Sequence, residues 1–276
     1  MIIKNKQSFR SSTIRIIKPL SFLLIYTCLA LINSTVYAQQ NYSITYSDSL
    51  ALENIIVEKY YVSKTSDYID STAGILPAGS LTYRIFVDMK PGYSLQVVYG
   101  NQKHELFFKT TTAFFNNMDC RAETGFNIDA KRLNESTIAL DSWITMGAAS
   151  RLHTGIPISE DMDGSSFIKN RNSFSKADGL TKGTLPDFQI FNLDLNFFNN
   201  DSTASYFSVR DGAWAALGGV KGPTEENRVL IAQLTTNGKL TFGLNVQIGT
   251  PEGNVIQFVA QNPEGTELQS KELTNE

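Results

Sequence analysis

Cysteine is nearly missing from this sequence, with only Cys28 and Cys120 in 276 residues. A framework of disulfides is therefore excluded, and the fold must rest on packing. Histidine is as scarce: His104 and His153 stand in unrelated contexts. There is no His-Glu-x-x-His, no Gly-x-Ser-x-Gly, no Cys-x-x-Cys and no phosphate-cradling glycine loop. The motif-borne forms of zinc, serine-nucleophile, dithiol and nucleotide chemistry fall away with them. Gly218-Gly219-Val220-Lys221-Gly222-Pro223-Thr224 is glycine-rich but has the wrong spacing and no following helix, and reads as a turn. Positive charge is also short, 24 Lys and Arg against 27 Asp and Glu. An acidic chain is poorly matched to phosphate backbones or anionic lipid, which argues against a nucleic-acid partner.

What basic charge there is gathers at the start. Lys4, Lys6, Arg10, Arg15 and Lys18 precede an apolar stretch at residues 20–32, and Val36-Tyr37-Ala38 follows, with small residues at the −3 and −1 positions. This pattern predicts a secretory signal peptide over residues 1–38, its core too short for a transmembrane anchor of ~20 residues. Cleavage takes five basic residues and no acid, moving the formal charge from −3 to −8. It also removes Cys28 and leaves Cys120 alone, with no activating arrangement legible around it. The expected location is secreted or extracellular, with the periplasm as the other exported compartment, and no membrane span follows.

Beyond a lead-in at residues 39–51, strand patterning dominates. Leu81, Tyr83, Ile85, Val87 and Met89 alternate with Thr82, Arg84, Phe86 and Asp88, the period of a half-buried strand. Lys90-Pro91-Gly92-Tyr93 predicts a type II turn, and Tyr93, Leu95, Val97 and Tyr99 resume the alternation. Near the C-terminus, residues 228–235 and 240–248 read as a hairpin. A three-residue loop with Gly238 in the left-handed region would set Leu234 against Leu240, Ala232 against Phe242 and Leu230 against Leu244. Val229 and Ile231 would then make the first of these an inner strand covered on both faces. Between Gly155 and Pro186 the alternation stops, predicting a long irregular loop. Residues 262–276 read as polar and frayed, with 268–276 as a polar tail beyond the domain. No long helical pattern occurs. These features predict an all-β, mainly antiparallel, jelly-roll-like β-sandwich occupying residues 52–267 as one domain, with a faint two-half echo in Phe114-Phe115-Asn116-Asn117 and Phe197-Phe198-Asn199-Asn200.

Several stretches share a further character: Glu53-Asn54-Ile55-Ile56-Val57-Glu58-Lys59-Tyr60-Tyr61, Leu76-Pro77-Ala78-Gly79-Ser80-Leu81, Leu140-Asp141-Ser142-Trp143 and Asn227-Arg228-Val229-Leu230-Ile231-Ala232-Gln233-Leu234. Together they resemble a recurrent module of secreted proteins from marine bacteria of the Bacteroidota type. The resemblance implies export and a β-rich fold, and it transfers no catalytic residue.

Candidate site residues fall into four groups. Trp143 and Trp214 are candidates for stacking on sugar rings, since an apolar ring face beside hydroxyl-binding groups is how a sandwich can hold polysaccharide. Asp161 and Asp163, in Glu160-Asp161-Met162-Asp163-Gly164, are candidate calcium ligands, although the third oxygen residue before the glycine and the later Glu of a full loop are missing. Asp88 and Asp141 are the candidate pair for glycoside hydrolysis, which needs two carboxylates facing one cleft. Asp48-Ser49-Leu50, Asp70-Ser71-Thr72 and Asp201-Ser202-Thr203 resemble short O-glycosylation acceptors of such bacteria. The expected function is non-catalytic binding or adhesion to an extracellular ligand, polysaccharide or cell surface. The alternatives are a carboxylate-dependent polysaccharide hydrolase and a structural envelope or matrix component.

Overall fold

Strands make up 40% of the described residues and helix, mostly single 3₁₀ turns, 14%, so the fold is all-β as expected. The computed structural model describes residues 43–67, 73–169, 171–174, 177–199 and 204–275. The segment read as a signal peptide and two of the three acceptor-like sites lie outside the described residues.

Sheet pairing starts from β1 (Leu52–Val62), antiparallel to β2 (Leu81–Met89), which pairs in turn with β12 (Arg228–Thr236) and so with the short β5 (Trp143–Ile144). Tyr93 N–H donates to Lys90 O at 3.2 Å with Gly92 at φ +95°, the expected turn. It carries the chain from β2 into a second sheet through β3 (Ser94–Gly100). That sheet runs β16 (Leu268–Gln269), β15 (Val255–Val259), β14 (Asn245–Gly249), β3, β11 (Gly212–Val220), β9 (Asp187–Phe191), antiparallel except between β15 and β16. A three-stranded sheet sets β4 (Leu106–Thr110) between β10 (Tyr206–Val209) and β13 (Leu240–Gly243). Another joins β6 (Ala148–Ser150), β7 (His153–Gly155) and β8 (Leu180–Lys182). Gly155 passes Leu230 of β12 so closely that a Cβ would lie 2.4 Å from Leu230 Cδ2, so a larger residue there would have to displace that buried side chain.

Both inner strands of the first sheet are covered on both faces. Val229, Ile231, Leu230 and Ala232 are all buried, as the patterning of β12 predicts. For β2 the alternation misleads: Arg84 and Phe86, assigned to the open face, are buried with Ile85 and Val87. The cover on that face is the irregular chain itself. Tyr60, Tyr61, Phe86, Trp143, Ile168, Phe174 and Leu230 form one core beneath it. Burying each such side chain stabilises by ~1.5–3 kcal/mol, so the loop is held by core rather than by regular structure.

Two expectations are corrected at the C-terminal end. Both edges of β12 are occupied, by β2 and β5, so the hairpin with residues 240–248 does not form, and β13 pairs with β4 instead. Gly238 does not adopt a positive φ. It is needed because a Cβ would lie 2.5–2.7 Å from the hydroxyls of Thr110, Thr111 and Thr112. The tail does not fray either: β16 pairs with β15, Leu273 is fully buried, and Leu244 N–H donates to Leu273 O at 2.8 Å. Part of the lead-in also packs, through a helical turn at Tyr46–Ser49 whose Asp48 accepts from Tyr93 OH at 3.0 Å.

Candidate functional site

The residues singled out from sequence take structural posts. Trp143 and Trp214 are 1% and 0% exposed, so neither offers a ring to solvent and the stacking role assigned to them is corrected. Trp214, on β11, donates Nε1–H to Thr145 O at 2.9 Å and so ties the second sheet to the end of β5. Alternation on fully covered strands sends large aromatics inward on either face, which is why patterning could not sort them.

Asp141 is 0% exposed and accepts backbone N–H bonds from Asn117 (2.7 Å), Ser142 (2.9 Å) and Ala122 (3.3 Å). Burial pushes its carboxyl well above the usual range despite these donors. Asp88 pairs instead with Arg228 at 3.2 Å; Arg228 also binds Glu160, and Thr224 Oγ1 donates to Glu160 at 2.6 Å. The hydrolytic pairing of Asp88 with Asp141 is therefore corrected: one is an internal anchor for three amides, the other belongs to an ion-pair clasp, and neither lines any cleft described below. Asp161 and Asp163 lie in the irregular segment, as expected; among the described residues no group of three or more His, Cys, Asp or Glu is placed to hold a metal.

The surface feature with ligand-binding character lies on β10, which patterning did not single out. Its residues alternate: Phe207 and Val209 point inward, Tyr206 and Ser208 outward. The outward row Tyr206, Ser208 and Arg210, on the edge strand of its sheet and the residue that follows it, is exposed. Glu105 gathers that row. Its Oε1 accepts from Tyr206 OH (2.8 Å) and Ser208 Oγ (2.6 Å), and its Oε2 from Arg210 Nη2 (2.9 Å). Partial burial raises the Glu105 pKa, but these three donors outweigh it and hold the carboxyl below the usual range. The Tyr206 ring is 46% exposed, with Phe107 at 6.0 Å and Lys109 Nζ at 5.9 Å from its centre.

A cleft of about 420 Å³ opens beside this row, lined also by Asn192, Asp194, Phe197 and Asp211. Asn192, at φ +50°, donates Nδ2–H to Asp211 O at 2.6 Å and fixes the rim. A second cleft of about 290 Å³ is lined by Glu105 itself with Lys103, His104, Phe107 and Asn245. His104 is fixed there by Glu267, 2.9 Å from its Nε2. Glu105 thus lines the second cleft and hydrogen-bonds three residues that line the first, giving a partly exposed aromatic ring among polar groups. Such a surface can stack on an apolar ring face and exchange hydrogen bonds at its rim. The sequence signal was present in Tyr206-Phe207-Ser208-Val209, a period-2 run whose outward residues are one aromatic and one hydroxyl.

Comparison with protein-family models, with curated proteins and with solved structures found no match.

Proposed function

We propose that this is a secreted, non-catalytic binding module whose ligand surface is the Tyr206 edge of the three-stranded sheet. The observation that carries the reading is the Glu105-ordered row of Tyr206, Ser208 and Arg210 beside an open polar cleft. A held ring loses little freedom on contact, so its apolar face is available for stacking at low entropic cost. Polysaccharide is the ligand class that suits such a ring with hydroxyl-binding neighbours. The basic, apolar and small-residue order of residues 1–38 supports export, as does the resemblance to secreted modules. N-terminal sequencing of exported material starting at Gln39 is the expected outcome, and a retained leader would contradict it.

Asp194 and Asp211 line the same cleft, and this observation supports one second reading, a hydrolase using these two carboxylates. Both already serve the local backbone or its neighbours: Asp194 accepts from Asn196 N–H at 3.0 Å, and Asp211 Oδ2 from Asn192 Nδ2 at 3.2 Å. Incubation with a panel of insoluble polysaccharides separates the readings. A binding module is retained on one of them and liberates no reducing ends. Steady liberation that Asp211→Asn or Asp194→Asn abolishes, with the fold intact, would establish the hydrolase.

A further inference from the structure

The irregular segment that covers the first sheet contains a buried carboxylate with half of its capacity unused. Asp161 is 7% exposed. Its Oδ2 accepts the backbone N–H groups of Asp178 and Gly179, each at 2.8 Å. Among the described residues no donor reaches its Oδ1, which is itself buried. Two residues on, Asp163 stands at the surface with its carboxyl in hydrogen-bonding reach of the Asp161 carboxyl. Asp163 Oδ1 takes the amide and hydroxyl of Ser165 at 2.7 and 2.6 Å. Two acceptor-only groups in contact repel unless something positive lies between them.

We propose that Asp161 Oδ1 and the Asp163 carboxylate bind a calcium ion. Calcium is a hard cation that takes six to eight oxygens in flexible geometry, and two carboxylates match its charge, with water able to complete the shell. Magnesium demands near-octahedral geometry and dehydrates reluctantly, so it suits a partly buried carboxylate pair less well. With only two acidic ligands, affinity falls in the weak range of extracellular modules, ~10⁻⁴–10⁻³ M. The exposed Asp163 gives the ion its entry path. The consequence is mechanical. Asp161 already holds Asp178 and Gly179, whose carbonyls accept from Tyr60 OH (2.7 Å) and Arg84 Nη1 (2.9 Å). An ion on Asp161 therefore fastens the surface turn, through that residue, to the sheet beneath.

The test is calcium titration of the purified, EDTA-stripped protein, followed by calorimetry, by Tm and by limited proteolysis, with magnesium chloride as control. Calcium should give a saturable heat with a midpoint of ~0.1–1 mM, raise Tm, and slow cleavage within residues 156–182; magnesium should do so weakly. Asp163→Asn, a surface change, should weaken the calcium midpoint about tenfold or more, the effect of removing one of two charged ligands. Asp161→Asn separates the ion from its rival, a proton shared between the two carboxyls. With a bound ion, this variant loses the calcium response and is less stable than the parent in calcium. With a shared proton, the new amide donates to Asp163, Tm at neutral pH rises, and the parent shows no calcium response. That result, or an Asp163→Asn response equal to the parent's, would overturn the proposal.

Discussion

The Arg84 guanidinium carbon lies 3.5 Å from the centre of the Tyr60 ring, with both side chains buried under the irregular segment. Arg84 Nε donates to Gln233 Oε1 at 3.0 Å and Nη1 to Gly179 O at 2.9 Å. Gln233 Nε2 in turn donates to Ala139 O (3.1 Å) and Asp141 O (2.8 Å). One planar cation thus joins β1, β2, β12 and the segment at Gly179. Lysine cannot reproduce two directed donors and a flat stacking face. Arg84→Lys is therefore expected to destabilise by about 2 kcal/mol or more, the scale of one charged hydrogen bond with a desolvated cation–π contact. Urea unfolding checks this, and a loss below about 0.5 kcal/mol, the scale of an ordinary surface substitution, would show that the contact carries little.

The half-buried carboxyl of Glu58, close to this arginine, makes stability depend on pH. Burial raises the Glu58 pKa from its ordinary 4.5, against the lowering pull of Arg84 and of the Ile158 N–H. A folded-state pKa above the unfolded one means that the folded protein keeps its proton to higher pH. The contribution is full below the unfolded value and is lost as pH rises through the folded one. Glu58→Gln mimics the protonated form and can still accept from Ile158 N–H. Its Tm should match the parent below the ordinary carboxyl pKa of 4.5 and exceed it by a margin that grows as pH rises above that value, by the same linkage. A margin that shrinks with rising pH would reverse the sign of the argument.

Gly238 is costly to replace for a reason other than a hairpin turn, and Asn245 responds differently from what a hairpin would imply. Gly238→Ala drives a methyl into three threonine hydroxyls and should cost ~1–3 kcal/mol, the usual scale of overpacking. Asn245 is buried, not on a polar face. Its Nδ2 donates to Tyr99 O and His104 O, both at 3.2 Å, and its Oδ1 accepts from Ala260 N–H at 3.3 Å. Asn245→Ala should therefore also lose ~1–3 kcal/mol, because buried carbonyls and an amide are left unpaired. Chemical denaturation of both variants decides, and a silent Asn245→Ala would contradict the buried network.

Period-2 patterning was enough to read the all-β class, the Pro91-Gly92 turn and the double cover of β12. It could not reveal which strands share a sheet. Leu230, Ala232 and Leu234 matched Leu240, Phe242 and Leu244 well by face, yet β2 and β5 had already filled both edges of β12. Nor could it reveal that an irregular segment would supply core. Phe167, Ile168 and Phe174 lack periodicity because no ladder holds them: Asp178 accepts from the Phe167 and Ile168 amides at 2.5 and 2.8 Å, and Phe174 N–H donates to Arg171 O at 3.0 Å. The two Phe-Phe-Asn-Asn stretches do meet: Asn116 Nδ2 donates to Phe197 O at 2.9 Å and the Phe114 and Phe197 rings pack edge to face at 5.9 Å. The candidate site was not legible in the sequence because both tryptophans are buried, whereas Tyr206, on a sheet edge, is among the aromatic rings left exposed.

The most direct test of the binding account is the affinity of Tyr206→Ala for the polysaccharide that retains the parent protein, measured by isothermal titration calorimetry beside a circular dichroism control. Tyr206 is half exposed at an edge, so its removal should leave the β spectrum unchanged. Loss of an aromatic contact of ~1 kcal/mol or more corresponds to a dissociation constant at least about fivefold larger. Affinity equal to the parent's, with the fold intact, would remove the Tyr206 edge as the ligand surface.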